Sequence, residues 1–171
     1  MSRRAVVLPG RAYPVTQPVI SGVVDVLVAG DYDVCAVEWT LTELPDDPTG
    51  FVVEHLASAA ADGCDLVVGK SLGTRASGVA ANRSWPAVWL TPLLTDVECV
   101  AGIRANPAPQ LVVGGTADPF FDVDVARSLD CRVLELPDVD HALSASGDGV
   151  VPPAILARVA AATREFLEEI T

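Results

Sequence analysis

Apolar residues fall along this chain in two alternating rhythms. Short unbroken runs at 5–8, 34–37, 66–68, 85–90 and 111–114 have the length and apolar content of strands buried on both faces, and 132–136, interrupted by Arg132 and Glu135, reads as a sixth strand. Between them, apolar residues recur every three or four positions, as on one side of a helix. Val15, Val19, Val23 and Leu27 mark a first helix, with Thr16 as its predicted cap, Pro18 in its first turn and Gly30 past its end. Val52, Leu56 and Ala60 mark a second between a Thr49 cap and Gly63, and residues 72–81 form a short third. Thr95 with Glu98 has the form of a capping box, opening a fourth helix that stops near Asn106-Pro107. A short helix over 122–129 and a long one over 153–169 follow. In the long one Ile155, Val159, Ala162, Phe166 and Ile170 face inward.

Strand alternating with helix predicts an α/β architecture, a three-layer doubly wound, mostly parallel six-stranded sheet with right-handed crossovers. The length suits one domain over residues 1–171. Such sheets bind ligands beyond the carboxyl ends of their strands, where strand order reverses. The loops to inspect are therefore 9–14, 38–42, 70–72, 90–94, 114–122 and 137–149.

Composition narrows this picture. Half the residues are hydrophobic and only 5% are aromatic, so the core is mostly Val, Leu and Ala, whose small side chains allow close packing of helix on sheet. A net charge of −12, with no basic cluster beyond Arg3-Arg4, disfavours nucleic-acid and anionic-membrane surfaces. Cys35, Cys64, Cys99 and Cys131 lack metal-ligand spacing and read as buried thiols of a cytoplasmic protein. The basic start, Met1 to Arg4, imitates a signal peptide, but Pro9-Gly10 ends the apolar run that follows far too early. No run approaches the 18 apolar residues of a membrane span.

The candidate chemistry lies in three of those loops. Residues 69–73 read Gly-Lys-Ser-Leu-Gly between a strand and a helix. A serine on so sharp a turn needs side-chain-free positions two residues before and after it, because backbone crowds both. Its hydroxyl is then held at the end of the sheet, and the following helix offers unpaired N–H groups to developing negative charge. The loop after the fifth strand carries Gly115-Thr116-Ala117-Asp118, and the loop after the sixth carries Asp140-His141, one of only two histidines. The other, His55, lies within a helix and reads as a packing or surface residue.

In this order (serine, aspartate, histidine) the three segments resemble the signatures of the α/β-hydrolase superfamily, over nearly the whole chain. The resemblance implies Ser71 as nucleophile, His141 as the base that takes and returns its proton, and Asp118 as the group that orients the imidazole. Asp140, beside the histidine, is the competing acid. The oxyanion hole would combine the N–H of Leu72 with one from the loop after the first strand, Arg11 or Gly10, although Pro9-Gly10 stands where the family often has His-Gly. The chain reads as a minimal, six-stranded member without the family's first antiparallel strands. Only residues 91–94 stand where larger members insert a cap domain, so it reads as lidless. The implied activity is hydrolysis of a small carboxylic ester or thioester through an acyl-enzyme, with acyl transfer or non-catalytic binding as alternatives.

Dinucleotide and P-loop glycine patterns are lacking, so neither cofactor nor metal is expected. Lys70 reads as a solvated side chain, or as a cation that attracts a substrate carboxylate. Tyr13, Trp39, Trp89, Phe120 and Phe121 lie in or beside strand-end loops and can either wall a pocket or pack the core. Thr91, at the end of the fourth strand, is a further pocket candidate. The sequence leaves a homo-oligomer open.

Overall fold

A computed structural model describes residues 3–171; Met1 and Ser2, half of the basic start, lie outside it. The elements are β1 (Arg3–Leu8), α1 (Pro18–Ala29), β2 (Tyr32–Ala36), α2 (Pro48–Ala59) and β3 (Leu66–Lys70). A 3₁₀ segment (Ser71–Ala76) then leads into α3 (Ser77–Arg83), followed by β4 (Ala87–Leu90) and α4 (Val97–Ala105). The chain continues through β5 (Gln110–Gly115), α5 (Val123–Arg127), β6 (Arg132–Leu136) and α6 (Pro153–Glu169).

The sheet is parallel throughout, in the order β2-β1-β3-β4-β5-β6. From β1 the chain steps outward to β2, then crosses back to place β3 on the other side of β1. Strand order therefore reverses between β1 and β3, and a crevice opens past their carboxyl ends. Successive residues of each strand serve opposite cores. Val7, Val68, Leu90 and Val113 pack with α1 and α6, while Val6, Val67, Trp89 and Val112 pack with α2, α3, α4 and α5. Trp89 and Phe121 belong to this second core, not to a pocket wall.

Three predicted caps are replaced by neighbours. Thr16 is exposed and caps nothing; the first free N–H of α1, that of Val19, donates instead to the Tyr13 hydroxyl at 3.3 Å. Asp47 rather than Thr49 caps α2, accepting from Gly50 N at 2.8 Å, because the Thr49 hydroxyl is taken by Arg75 at 3.0 Å. Asp96 rather than Thr95 caps α4, accepting from the N–H groups of Glu98 and Cys99. Its other oxygen holds Arg75 at 2.7 Å. β4 begins at Ala87 because Pro86 cannot donate to the sheet, although its carbonyl accepts from Val67.

Of the four thiols only Cys99 is buried; the other three are partly exposed, and none forms a disulfide. Among the described residues no helix is long and apolar enough to cross a membrane, and no three His, Cys, Asp or Glu side chains are grouped to hold a metal.

Candidate active site

β3 is buried along its whole length, and its end is bent by a residue in an uncommon conformation. Ser71 has φ of 49°, in the left-handed region that non-glycine residues rarely occupy. The bend brings backbone against backbone on both sides. A Cβ on Gly69 would lie 2.7 Å from the Gly73 carbonyl oxygen, and one on Gly73 would lie 2.7 Å from that of Leu8. Both glycines are thus required by close approach, and the Ser71 hydroxyl stands at the reversal point of the sheet.

Two further loops converge on it. His141 Nε2 lies 2.7 Å from Ser71 Oγ, and His141 Nδ1 lies 2.7 Å from Asp118 Oδ2. With a carboxylate beside Nδ1, the proton of the neutral ring is assigned to Nδ1, leaving Nε2 to accept from the serine. The Asp118 side chain is wholly buried, and its second oxygen accepts from Phe120 N at 2.8 Å, so both oxygens are fixed. The loops after β5 and β6 are stitched together by bonds from Ala117 N to the Val139 carbonyl and from Asp138 N to Thr116 Oγ1. The Phe120 ring stands edge-on to the imidazole at 4.9 Å between centroids.

Asp140 is engaged elsewhere. One of its carboxylate oxygens accepts from the N–H groups of Ala142 and Ser144, both at 2.9 Å, which closes the turn that carries His141. His55 is remote from this cluster: its Nδ1 lies 2.8 Å from its own helix's Phe51 carbonyl, and its ring packs against Phe51 and Trp39.

Leu72 and the loop of Gly10 and Arg11 line the cleft over Ser71. Leu72 is second in the 3₁₀ segment, too early for its N–H to find an acceptor within that helix, so the group is one of the orphan donors of a helix start. Gly10 is the correction: its N–H donates to the Tyr13 carbonyl at 3.1 Å, closing a turn, which leaves Arg11 as the donor candidate of that loop. The Gly10 carbonyl in turn accepts from Trp39 Nε1 at 2.9 Å. Trp39 therefore props this loop instead of walling the pocket.

A cleft of about 760 Å³ opens over Ser71 and His141, with Tyr13, Leu44, Leu93 and Phe120 among its walls. Leu44 and Phe120 are exposed at 55% and 44%, leaving apolar surface at its mouth. The six residues between β4 and α4 carry no inserted element, and Leu94 is tied down through its N–H to the Phe120 carbonyl at 2.8 Å. Thr91 is buried beneath the cleft rather than in its wall.

Lys70 departs furthest from expectation. It is 1% exposed, not solvated, and its Nζ donates to Thr91 Oγ1 at 2.7 Å and to the His141 carbonyl at 3.0 Å. Burial pulls its ammonium down to about 8, against the opposing pull of Asp118 and Asp140. A strand-end lysine beside the elbow was visible in the sequence. The signal for its burial was its place on a strand covered on both faces.

The sequence matches no protein-family model and no curated protein. Solved structures do resemble the chain. It superimposes on Est1E from Butyrivibrio proteoclasticus with a TM-score of 0.75 at 12% identity, over 99% of this chain and 88% of that one. Est1E is also known with ferulic acid bound. Alpha/beta hydrolase domain-containing protein 10 from mouse gives a TM-score of 0.70 at 11% identity, over 100% and 92%. The esterase domain of a Rhodothermus marinus protein gives 0.62 at 14%, over 96% and 87%.

Proposed function

The chain has the α/β-hydrolase fold, and from that premise we propose that it is a serine hydrolase cleaving a small carboxylic ester or thioester through an acyl-enzyme. The observation that carries this reading is the hydrogen-bonded line from Asp118 through His141 to Ser71, with 2.7 Å at each step. A fold alone confers no chemistry, but a hydroxyl aligned with an oriented imidazole at a sheet's reversal point has the arrangement of an activated nucleophile.

In the proposed cycle His141 Nε2 takes the Ser71 proton as Oγ attacks the carbonyl carbon. The carbonyl oxygen becomes an anion facing the N–H groups of Leu72 and Arg11. The tetrahedral adduct collapses, the imidazolium returns its proton to the departing alkoxide or thiolate, and the acyl group stays on Ser71. Water then repeats the sequence and releases the acid. Asp118 keeps its charge throughout, holding the ring and stabilising the imidazolium. The apolar walls at Tyr13, Leu93 and Phe120 favour an uncharged, compact acyl or aryl group, a class that includes an aromatic acid of the kind bound by Est1E.

The test is labelling with a fluorophosphonate, which requires both an activated hydroxyl and an anion site. One label at Ser71 is expected, abolished in Ser71→Ala, strongly reduced in His141→Ala and retained in His55→Ala. Folded wild-type protein that stays unlabelled and hydrolyses none of a panel of acetyl, butyryl and feruloyl esters would leave a non-catalytic binding role in its place.

A further inference from the structure

The ammonium of Lys70 is the one basic group buried almost completely among the described residues, at 1% exposure. Burying a cation is costly unless its donors are all used, and a Met of similar volume would fill the same space without that cost. The ammonium has three contacts here. Two N–H bonds go to Thr91 Oγ1 and the His141 carbonyl, and the remaining side of the ammonium faces the Tyr13 ring, 4.6 Å from its centroid. What a cation at this place adds is therefore local to the loops that meet it.

We propose that Lys70 is a positioning residue for His141, tying its backbone to the end of β4 so that the imidazole stays between Ser71 and Asp118. The inference rests on the catalytic reading given above for what such positioning achieves, though not for the tie itself. The bonds that Asp140 makes with Ala142, Leu143 and Ser144 stay inside the His141 turn. The bond from Lys70, by contrast, reaches across to β3 and fixes the main chain of the histidine itself. The anchor at the other end is unusual. Thr91, a β-branched residue, is held at φ of 41°, with its N–H on the Val113 carbonyl at 2.7 Å and its hydroxyl under Lys70. Strain of this kind persists only where the surroundings over-determine it. The titratable groups around the ammonium are the carboxylates of Asp118 and Asp140 and the phenol of Tyr13, while His141 meets it through its main-chain carbonyl. Both carboxylates favour the charged lysine, while burial opposes it, so the ammonium loses its proton in mildly alkaline solution near pH 8.

Two measurements test the tie. In the first, kcat and KM of wild type and Lys70→Met are followed against pH with a chromogenic acetyl ester. Wild-type kcat/KM should fall above about pH 8. In Lys70→Met kcat should drop by about 10- to 100-fold with KM changed by less than about threefold, and the alkaline fall should vanish. A variant with wild-type kcat and the same alkaline fall would overturn the proposal. The second measurement needs neither turnover nor a folded Lys70 variant. With only two histidines in the chain, the main-chain carbonyl resonances of histidine-labelled Ser71→Ala protein can be assigned, and that of His141, which accepts from Lys70 at 3.0 Å, should show an inflection near pH 8 as the lysine titrates. A His141 resonance without that inflection would sink the proposal even if the protein proves an efficient esterase. Conversely, its presence in a protein that labels with no fluorophosphonate would uphold the tie while removing the catalytic reading.

Discussion

Replacing Asp118 with Asn tests the assignment of roles most sharply, because the structure dictates how the amide must sit. Asp118 Oδ1 accepts from Phe120 N at 2.8 Å, and Oδ2 faces His141 Nδ1 at 2.7 Å, with the side chain wholly buried. If the Asn oxygen faced the histidine, its NH₂ would meet the N–H of Phe120, two donors together in a dry site. That arrangement costs about 1–3 kcal/mol for each unsatisfied group. The amide should therefore keep its oxygen on Phe120 and turn its NH₂ to His141 Nδ1. The ring must then accept at Nδ1 and carry its proton at Nε2, where it can no longer take the serine's. The wrong tautomer costs about 10⁴-fold in kcat in Ser-His-Asp enzymes, or about 5 kcal/mol at 1.36 kcal/mol per tenfold. The matched control is Asp140→Asn, whose carbonyl oxygen can still accept from both Ala142 and Ser144. That variant should stay within about tenfold of wild type, since its bonds only close a turn and none touches the imidazole. Both are measured as kcat on a chromogenic acetyl ester beside a Ser71→Ala blank. A crippled Asp140→Asn with a mild Asp118→Asn would refute the assignment.

Much of this site could be read from the chain, and the parts that could not share one cause. Apolar rhythm set by backbone geometry survives tertiary packing, so β6 and α6 lie where periodicity places them, at Arg132–Leu136 and Pro153–Glu169. The spacing of Gly69, Ser71 and Gly73 was legible for the same reason, because steric crowding at the bend admits no side chain. Caps failed where a neighbouring aspartate reaches the free N–H groups instead of the threonine, as Asp47 does at α2 and Asp96 at α4. Thr49 belongs to Arg75, and Asp96 both caps α4 and binds that same arginine. Gly10 and Trp39 failed similarly, since a turn to Tyr13 and a bond from an indole cannot be seen in spacing. Lys70 is the instructive case. A charged residue predicts solvent, yet at the end of a strand covered on both faces the side chain has nowhere to go but under the neighbouring loops, so topology overrides polarity.

Gly69→Ala should lower stability, because its Cβ would lie 2.7 Å from the Gly73 carbonyl oxygen and 2.9 Å from the Trp89 ring. Overpacking of about 1–3 kcal/mol corresponds to a Tm lower by roughly 2–12 °C, and an unchanged melting curve would argue against the tight bend. Trp39→Phe keeps an aromatic ring against Phe51 but loses the N–H bond to the Gly10 carbonyl. It should reduce kcat by about three- to tenfold with KM nearly steady; a change confined to KM would place Trp39 in substrate binding instead. Stability should depend on pH through Lys70. Its ammonium is depressed from 10.5 to about 8 in the folded protein, mainly by burial. Between those values the unfolded chain binds more protons than the folded one, so wild-type stability should rise as pH increases through that window. Below about pH 8 the folded state carries the full penalty of the buried cation. At 1.36 kcal/mol per unit this is about 3 kcal/mol, and it fades toward zero above pH 10.5. Lys70→Met loses the bonds to Thr91 and His141 at every pH but has no such titration, so its offset from wild type at neutral pH is a sum of opposing contributions. How that offset changes with pH is simpler, because only the lysine titration enters it. Urea unfolding of both proteins between pH 7 and pH 10.5 should show wild type gaining about 3 kcal/mol relative to the variant. Two parallel stability curves would mean that Lys70 is not a buried cation in solution, and the tie from its ammonium to His141 would fall with it.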